Sequence, residues 1–143
     1  MTQSPPAGFE PHTRKSPLTA PWEPLYARKS EDRVVLGLTV ATPHTNSRGL
    51  LHGGLIAALA DNAMGLSCSA VLAQGGGASN GLVTVSLAVD YMGKAGIGDW
   101  LEFDTDFVRA GRTLCFAGAR VTAQGQPIAR AHATFRVHTS SSS

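Results

Sequence analysis

The sequence predicts an α+β domain in which an antiparallel sheet wraps one long central helix. Three observations predict it. The run Arg33–Ala41 (RVVLGLTVA) is apolar and β-branched, the stretch from Gly54 to Ala73 is apolar on every helical face, and four strand-like runs joined by short turns follow. The length of 143 residues suits one domain, able to bury roughly two-thirds of its unfolded surface without a disulfide or metal. With 43% hydrophobic and only 15% charged residues, the chain is neither highly charged disorder nor a long exposed coiled coil. A formal charge of +2 makes no electrostatic case for nucleic acid. So few charges over so much surface point to cover by another subunit.

Residues 1–21 carry Pro5, Pro6, Pro11, Pro17 and Pro21 among Ser and Thr, and read as a mobile or loosely draped arm before a domain spanning 22–138. They lack the basic-then-apolar order of a secretory leader, so a soluble cytoplasmic protein is expected. A short helical turn is expected over Trp22–Arg28. After the first strand, Thr42–Leu51 is a loop rich in turn formers: Pro43, Asn46, Ser47 and Gly49. The helix over Gly54–Ala73 should be buried all round, and its polar members His52, Asp61 and Asn62 argue against a membrane span. It should stop in the glycine-rich link 74–81.

Leu82–Tyr91, Asp99–Arg109, Thr113–Ala123 and Ile128–His138 then read as a four-strand meander of antiparallel neighbours. In the last, Ala131, Ala133, Phe135 and Val137 oppose Arg130, His132, Thr134 and Arg136 with a two-residue period. The tail 139–143 is expected to be disordered. Cys68 and Cys115 sit in apolar runs and read as buried, reduced thiols.

Between Gly49 and Val89 the only formally charged residue is Asp61, inside the apolar helix. A carboxylate there needs partners or a wet cleft, and makes a candidate general base or nucleophile. His52-Gly53-Gly54 stands where the helix begins; free N–H groups at a helix start, unshielded by side chains, can polarise a carbonyl oxygen. Asn46 adds an amide donor in the loop feeding that end. Along the axis Asp61 lies roughly 10–12 Å from Gly53 of its own helix. Reacting groups must meet within about 3 Å of one substrate atom. A two-fold partner is therefore expected to supply the other half, giving two shared sites per dimer.

These residues resemble a known family. Asn46-x-x-Gly49-x-x-His52-Gly53-Gly54 with Asp61 six residues further on, Tyr91-Met92, Gly93-Lys94-Ala95-x-x-Gly98-Asp99 and Arg109-x-Gly111-Arg112 are together similar to the phenylacetate-degradation (PaaI-type) hotdog-fold acyl-CoA thioesterases. The resemblance covers about residues 33–138. It implies the hotdog fold, edge-to-edge dimers often paired into tetramers, and hydrolysis of an acyl or aryl coenzyme A thioester. It also implies roles. Asp61 would be nucleophile or base on water, and Gly53 N–H would bind the thioester oxygen. Asn46 would position the thioester or the water, His52 would orient the loop or the thioester, and Thr84 would stand near the water.

No metal or redox cofactor is expected, and the histidines show no tight ligand spacing. Arg109 and Arg112, with Lys94 behind them, are the expected contacts to coenzyme A phosphates. Leu55, Leu59, Asn62 and Met64, together with the partner's arm, are expected to shape the acyl pocket. A non-catalytic acyl-CoA-binding hotdog module and a hotdog hydratase or dehydratase are the alternatives.

Overall fold

The computed structural model describes residues 4–76 and 81–138. Residues 77–80 of the glycine-rich link and the serine tail 139–143 therefore lie outside the described residues. Seven strands form one sheet: β1 (Glu10–Pro11), β2 (Tyr26–Lys29), β3 (Val34–Thr39), β4 (Leu82–Tyr91), β5 (Trp100–Ala110), β6 (Leu114–Ala123) and β7 (Gln126–Val137). Their spatial order is β1-β2-β3-β5-β6-β7-β4, with every neighbouring pair antiparallel. The one α-helix among the described residues, α1 (Gly53–Gln74), lies in the concave side of this sheet. This is the expected helix wrapped by an antiparallel sheet.

One face of α1 makes the core. Leu55, Ile56, Leu59, Ala60, Ala63, Met64, Ser67 and Cys68 recur at helical spacing and pack on Leu36, Leu38, Leu101, Phe103, Ala119, Val121, Ala131 and Phe135. Each large apolar side chain buried this way contributes about 1.5–3 kcal/mol. The Ser67 hydroxyl accepts from Val34 N–H at 3.0 Å, tying mid-helix to the start of β3. The opposite face, Ala57, Ala58, Asp61, Asn62, Gly65, Leu66 and Ser69, is only half-buried. A helix apolar on every face was expected to be buried all round; a single chain covers one side of it.

The sheet departs from the expected four-strand meander. Of those four strands only β5, β6 and β7 follow one another in the sheet; β4 pairs with β7 at the far edge, from Leu82↔Val137 to Tyr91↔Ala129. The link of residues 92–99 crosses the mouth of the wrap, held by Met92 and Gly93 N–H to Ile128 O. Eight residues reach up to about 26 Å, enough to pass three strand spacings of roughly 4.8 Å. By contrast the β6–β7 hairpin turns on Gln124 (φ 50°) and Gly125 (φ 80°), both left-handed as a two-residue turn requires.

The N-terminal segment also differs. Tyr26–Lys29 is a strand, pairing Tyr26 with Gly37 and Lys29 with Val34, and a short 3₁₀ turn falls earlier at Ala20–Trp22. The open edge of β3 offers backbone partners that a lone helical turn over 22–28 would leave unused. The arm, expected mobile or loosely draped, is instead pinned by β1 pairing with β2 and by buried Phe9, His12 and Thr19. Phe9 meets Trp100 edge-on at 5.1 Å, over the backbone of Gly37, where a Cβ would stand 2.4 Å from the indole. Glycine alone fits there.

Candidate active site

The start of α1 is built by a network of backbone bonds. His44 is buried; its Nδ1 accepts from Ala41 N–H at 2.9 Å, so its Nε2 carries the proton it donates to Trp22 O at 2.8 Å. His44 O then accepts from His52 N–H at 2.9 Å. His52 is the N-cap of α1, its Nδ1 accepting from Gly54 N–H at 2.7 Å. Asn46 Oδ1 accepts from the N–H groups of Arg48 at 2.9 Å and Leu50 at 3.2 Å, which folds the loop and leaves the Asn46 NH₂ without a partner among the described residues. Tyr91 Oη donates to Gly53 O at 2.6 Å. The Gly53 N–H finds no acceptor among the described residues, although the groups on both sides of it are bonded. It is an oriented, unused donor at the positive end of a 22-residue helix.

Two turns along the helix, Asp61 faces away from the core. Thr84 Oγ1 donates to its Oδ1 at 2.6 Å. Beside Thr84 a bulge at Val85 shifts the β4–β7 register between Thr84 and Ser86. Asp61 and Thr84 lie on the wall of a cleft of about 300 Å³. Asn62, Gly65, Leu66 and Ser69 continue the helical wall, Leu82 and Phe135 face them, and residues of the arm close the other side.

The structure thus joins some predicted residues and separates others. Asp61 and Thr84 meet directly, and Asn46, His52 and Gly53 cluster at the helix start beside Tyr91. Within one chain these two groups remain separate, eight helical residues or about 12 Å apart. Of the four expected pocket residues, only Asn62 lines the cleft. Leu55, Leu59 and Met64 are 0–3% exposed and belong to the core, because the 100° step per residue turns them toward the sheet. Lys94 follows β4 and precedes β5, whereas Arg109 and Arg112 lie at the opposite end of β5, so within one chain the three form no single cluster. All three are exposed.

His44 was absent from the sequence-based site, and the arm was expected there only as the partner's, whereas the chain's own arm lines the cleft. A histidine followed eight residues later by another carried no spacing signal, and its bond to Trp22 O spans 22 residues. Away from the site, burial pushes the Cys68 thiol up to about 12, helped by Cys115 beside it. That thiol is inert.

A carboxylate at a cleft wall and a free N–H at a helix start, carried on a sheet-wrapped helix, define the class: a hotdog-fold hydrolase for acyl esters of thiols. Comparison with known proteins agrees. The sequence model of the thioesterase superfamily matches residues 48–129. A putative esterase of Pseudomonas aeruginosa is 35% identical over 133 residues, 92% of this chain and 96% of that one. Human acyl-coenzyme A thioesterase 13 is 35% identical over 104 residues, 71% of each chain. Among solved structures, zebra fish thioesterase superfamily member 2 matches with a TM-score of 0.69 at 29% identity, over 79% of this chain and 80% of that one. A Streptococcus mutans protein solved with acetyl CoA matches at 0.67 and 28% identity, over 76% and 83%. The chain belongs to the thioesterase superfamily and is a thioester hydrolase.

Proposed function

We propose that this protein hydrolyses an acyl or aryl-acyl coenzyme A thioester to the free acid and coenzyme A. The observation that carries this is the Thr84-held carboxylate of Asp61 on the cleft wall, with the Gly53 N–H unpartnered at the helix start. The names of the relatives and the acetyl CoA bound to a neighbour support the coenzyme A half of the reading.

The parts assign the steps. The thioester oxygen accepts from Gly53 N–H, and the Asn46 NH₂ holds the thioester or the water. Asp61 attacks the carbonyl carbon, or takes a proton from water that attacks it, while Thr84 keeps the carboxylate aimed. Negative charge gathers on the oxygen facing Gly53, and the C–S bond breaks to release the thiolate, which takes up a proton; where Asp61 itself attacks, water then opens the acyl–Asp61 anhydride to free the acid and restore the carboxylate. A carboxylate, an amide N–H and water suffice, so no metal or redox cofactor is needed. His52 acts through its cap on Gly54 and not as a base.

The site closes only between two copies. The edge strand β4 is unpaired on one side and exposes Val83, Val85 and Leu87. Antiparallel pairing of β4 with its own copy, about a two-fold axis near its middle, sets the Gly53 end of one helix against Asp61 of the other. Two shared sites per dimer result, and the same operation carries Lys94 of one copy toward the end where Arg109 and Arg112 of the other await coenzyme A phosphates. A dimer of such dimers is the expected assembly, in the cytoplasm.

A thiol-release assay over short, medium and aromatic acyl-CoAs tests the reaction. The Asp61→Asn variant should lose at least ~10²-fold in kcat while keeping its fold by circular dichroism. Full turnover by that variant would overturn the mechanism. Turnover of an enoyl thioester by water addition, with no thiol released, would place the protein among the hydratases.

A further inference from the structure

The arm is the part of this molecule that the mechanism leaves unused, yet it lines the cleft. His12, Arg14, Lys15, Ser16 and Thr19 stand on the cleft with Asp61 and Thr84. Their position is built. β1 pairs with β2, His12 N–H donates to Leu25 O at 2.9 Å, and Lys15 Nζ meets Glu23 Oε1 at 3.0 Å. Ser16 and Thr19 share a hydroxyl bond of 3.0 Å that tightens the segment between them.

The chemistry of this wall is asymmetric. Lys15 is neutralised by Glu23, whereas Arg14 has no acidic or hydrogen-bonding partner among the described residues. His12 is 6% exposed, and its Nδ1 has no partner among the described residues. Burial, then Lys29 nearby, lowers its pKa, so the ring is neutral at pH 7 and adds no charge to the wall. Arg14 thus puts on this wall a guanidinium that no acid among the described residues neutralises, free to pair with an anionic ligand that enters the cleft.

The location excludes coenzyme A's own phosphates. They sit at the far end of the extended pantetheine arm, too distant from the thioester to share so small a cleft with Asp61. What enters beside Asp61 is the acyl group. A cleft of about 300 Å³ holds on the order of ten non-hydrogen atoms at about 30 Å³ each. We propose that residues 12–19 are the acyl-selecting wall, and that they favour a short acyl group ending in a carboxylate, held by Arg14 with His12 beside it. This rests on the thioesterase reading and adds the substrate class to it.

The test compares adipoyl-CoA with hexanoyl-CoA, equal in chain length and different in the terminal carboxylate, on the full chain. The expected result is a higher kcat/KM for adipoyl-CoA, carried by KM. Arg14→Ala should cut that preference roughly 10- to 100-fold, Arg14→Glu should reverse it, and Arg14→Lys should restore part of it. Palmitoyl-CoA should be a poor substrate. Because Arg14 is exposed, none of these variants threatens the fold.

A wild-type ratio near one, or a ratio unmoved by Arg14→Ala and Arg14→Glu, overturns the inference. Arg14 binding coenzyme A instead would weaken both substrates equally and so leave the ratio unmoved. If no thioester is cleaved, the functional reading fails separately. Calorimetric affinities of the two thioesters for wild type and Arg14→Ala then decide the inference on binding alone.

Discussion

Gly53 carries two demands that pull in different directions. Its backbone must begin a helix, and its N–H must stay unused. A proline at this position satisfies the first and fails the second: position N1 tolerates the ring, and His52 before it is already extended at φ −74°, ψ 132°. Gly53→Pro should therefore lower kcat by ~10²–10³-fold with α1 intact, while Gly53→Ala, which keeps the N–H and sets its Cβ 3.3 Å from the Tyr91 ring, should lose far less. Equal losses in steady-state kinetics would remove Gly53 from the oxyanion role. Asp61 and Gly53 were legible in the sequence because a lone charge in an apolar helix and a glycine pair at a helix start are local signals. His44 was not. Its two ring bonds reach Ala41 and Trp22, and the second exists only once the segment before β2 has folded back.

Among the elements, the arm shows most clearly how local composition and tertiary contact compete. Prolines and small polar residues announce a segment with little helix or strand preference, yet Phe9, His12 and Thr19 are buried in place. His12 makes that docking sensitive to pH. Its folded pKa lies below 6.5, so the unfolded chain binds the proton more readily. Stability is complete above about pH 6.5 and falls as the pH drops from there through the folded value. Wild type should lose melting temperature between about pH 7 and pH 5, and His12→Gln should show a shallower loss over that window. Parallel Tm profiles would mean that the arm's burial does not rest on the imidazole. The strands β5, β6 and β7 were readable from two-residue alternation and tight turns. The short β1 and β2 were not, because β2 is a strand only by pairing with β3, and β1 only by pairing with β2.

For the whole molecule, the half-buried face of α1 and the free edge of β4 belong to one surface, and Asp61 lies within it. Shared sites predict complementation. Asp61→Asn and Gly53→Pro are each expected to be inactive alone, but when the two are mixed, unfolded and refolded together, half the dimers are mixed and each has one intact site. About a quarter of wild-type activity should return. No recovery, with mixed dimers confirmed by native mass spectrometry, would place both halves of the site within one chain.

The amino-acid order alone settled what local physics can settle: an all-apolar helix, alternating strands, a capped helix start, and the one charge that such a helix could not hold without a purpose. It did not settle position. Whether β4 lies beside β5 or beyond β7, whether Leu59 faces a cleft or a core, and where the arm rests all depend on which surfaces the wrapped sheet leaves open. Those are long-range choices, made by burial and by backbone groups seeking partners, and no window of ten residues contains them.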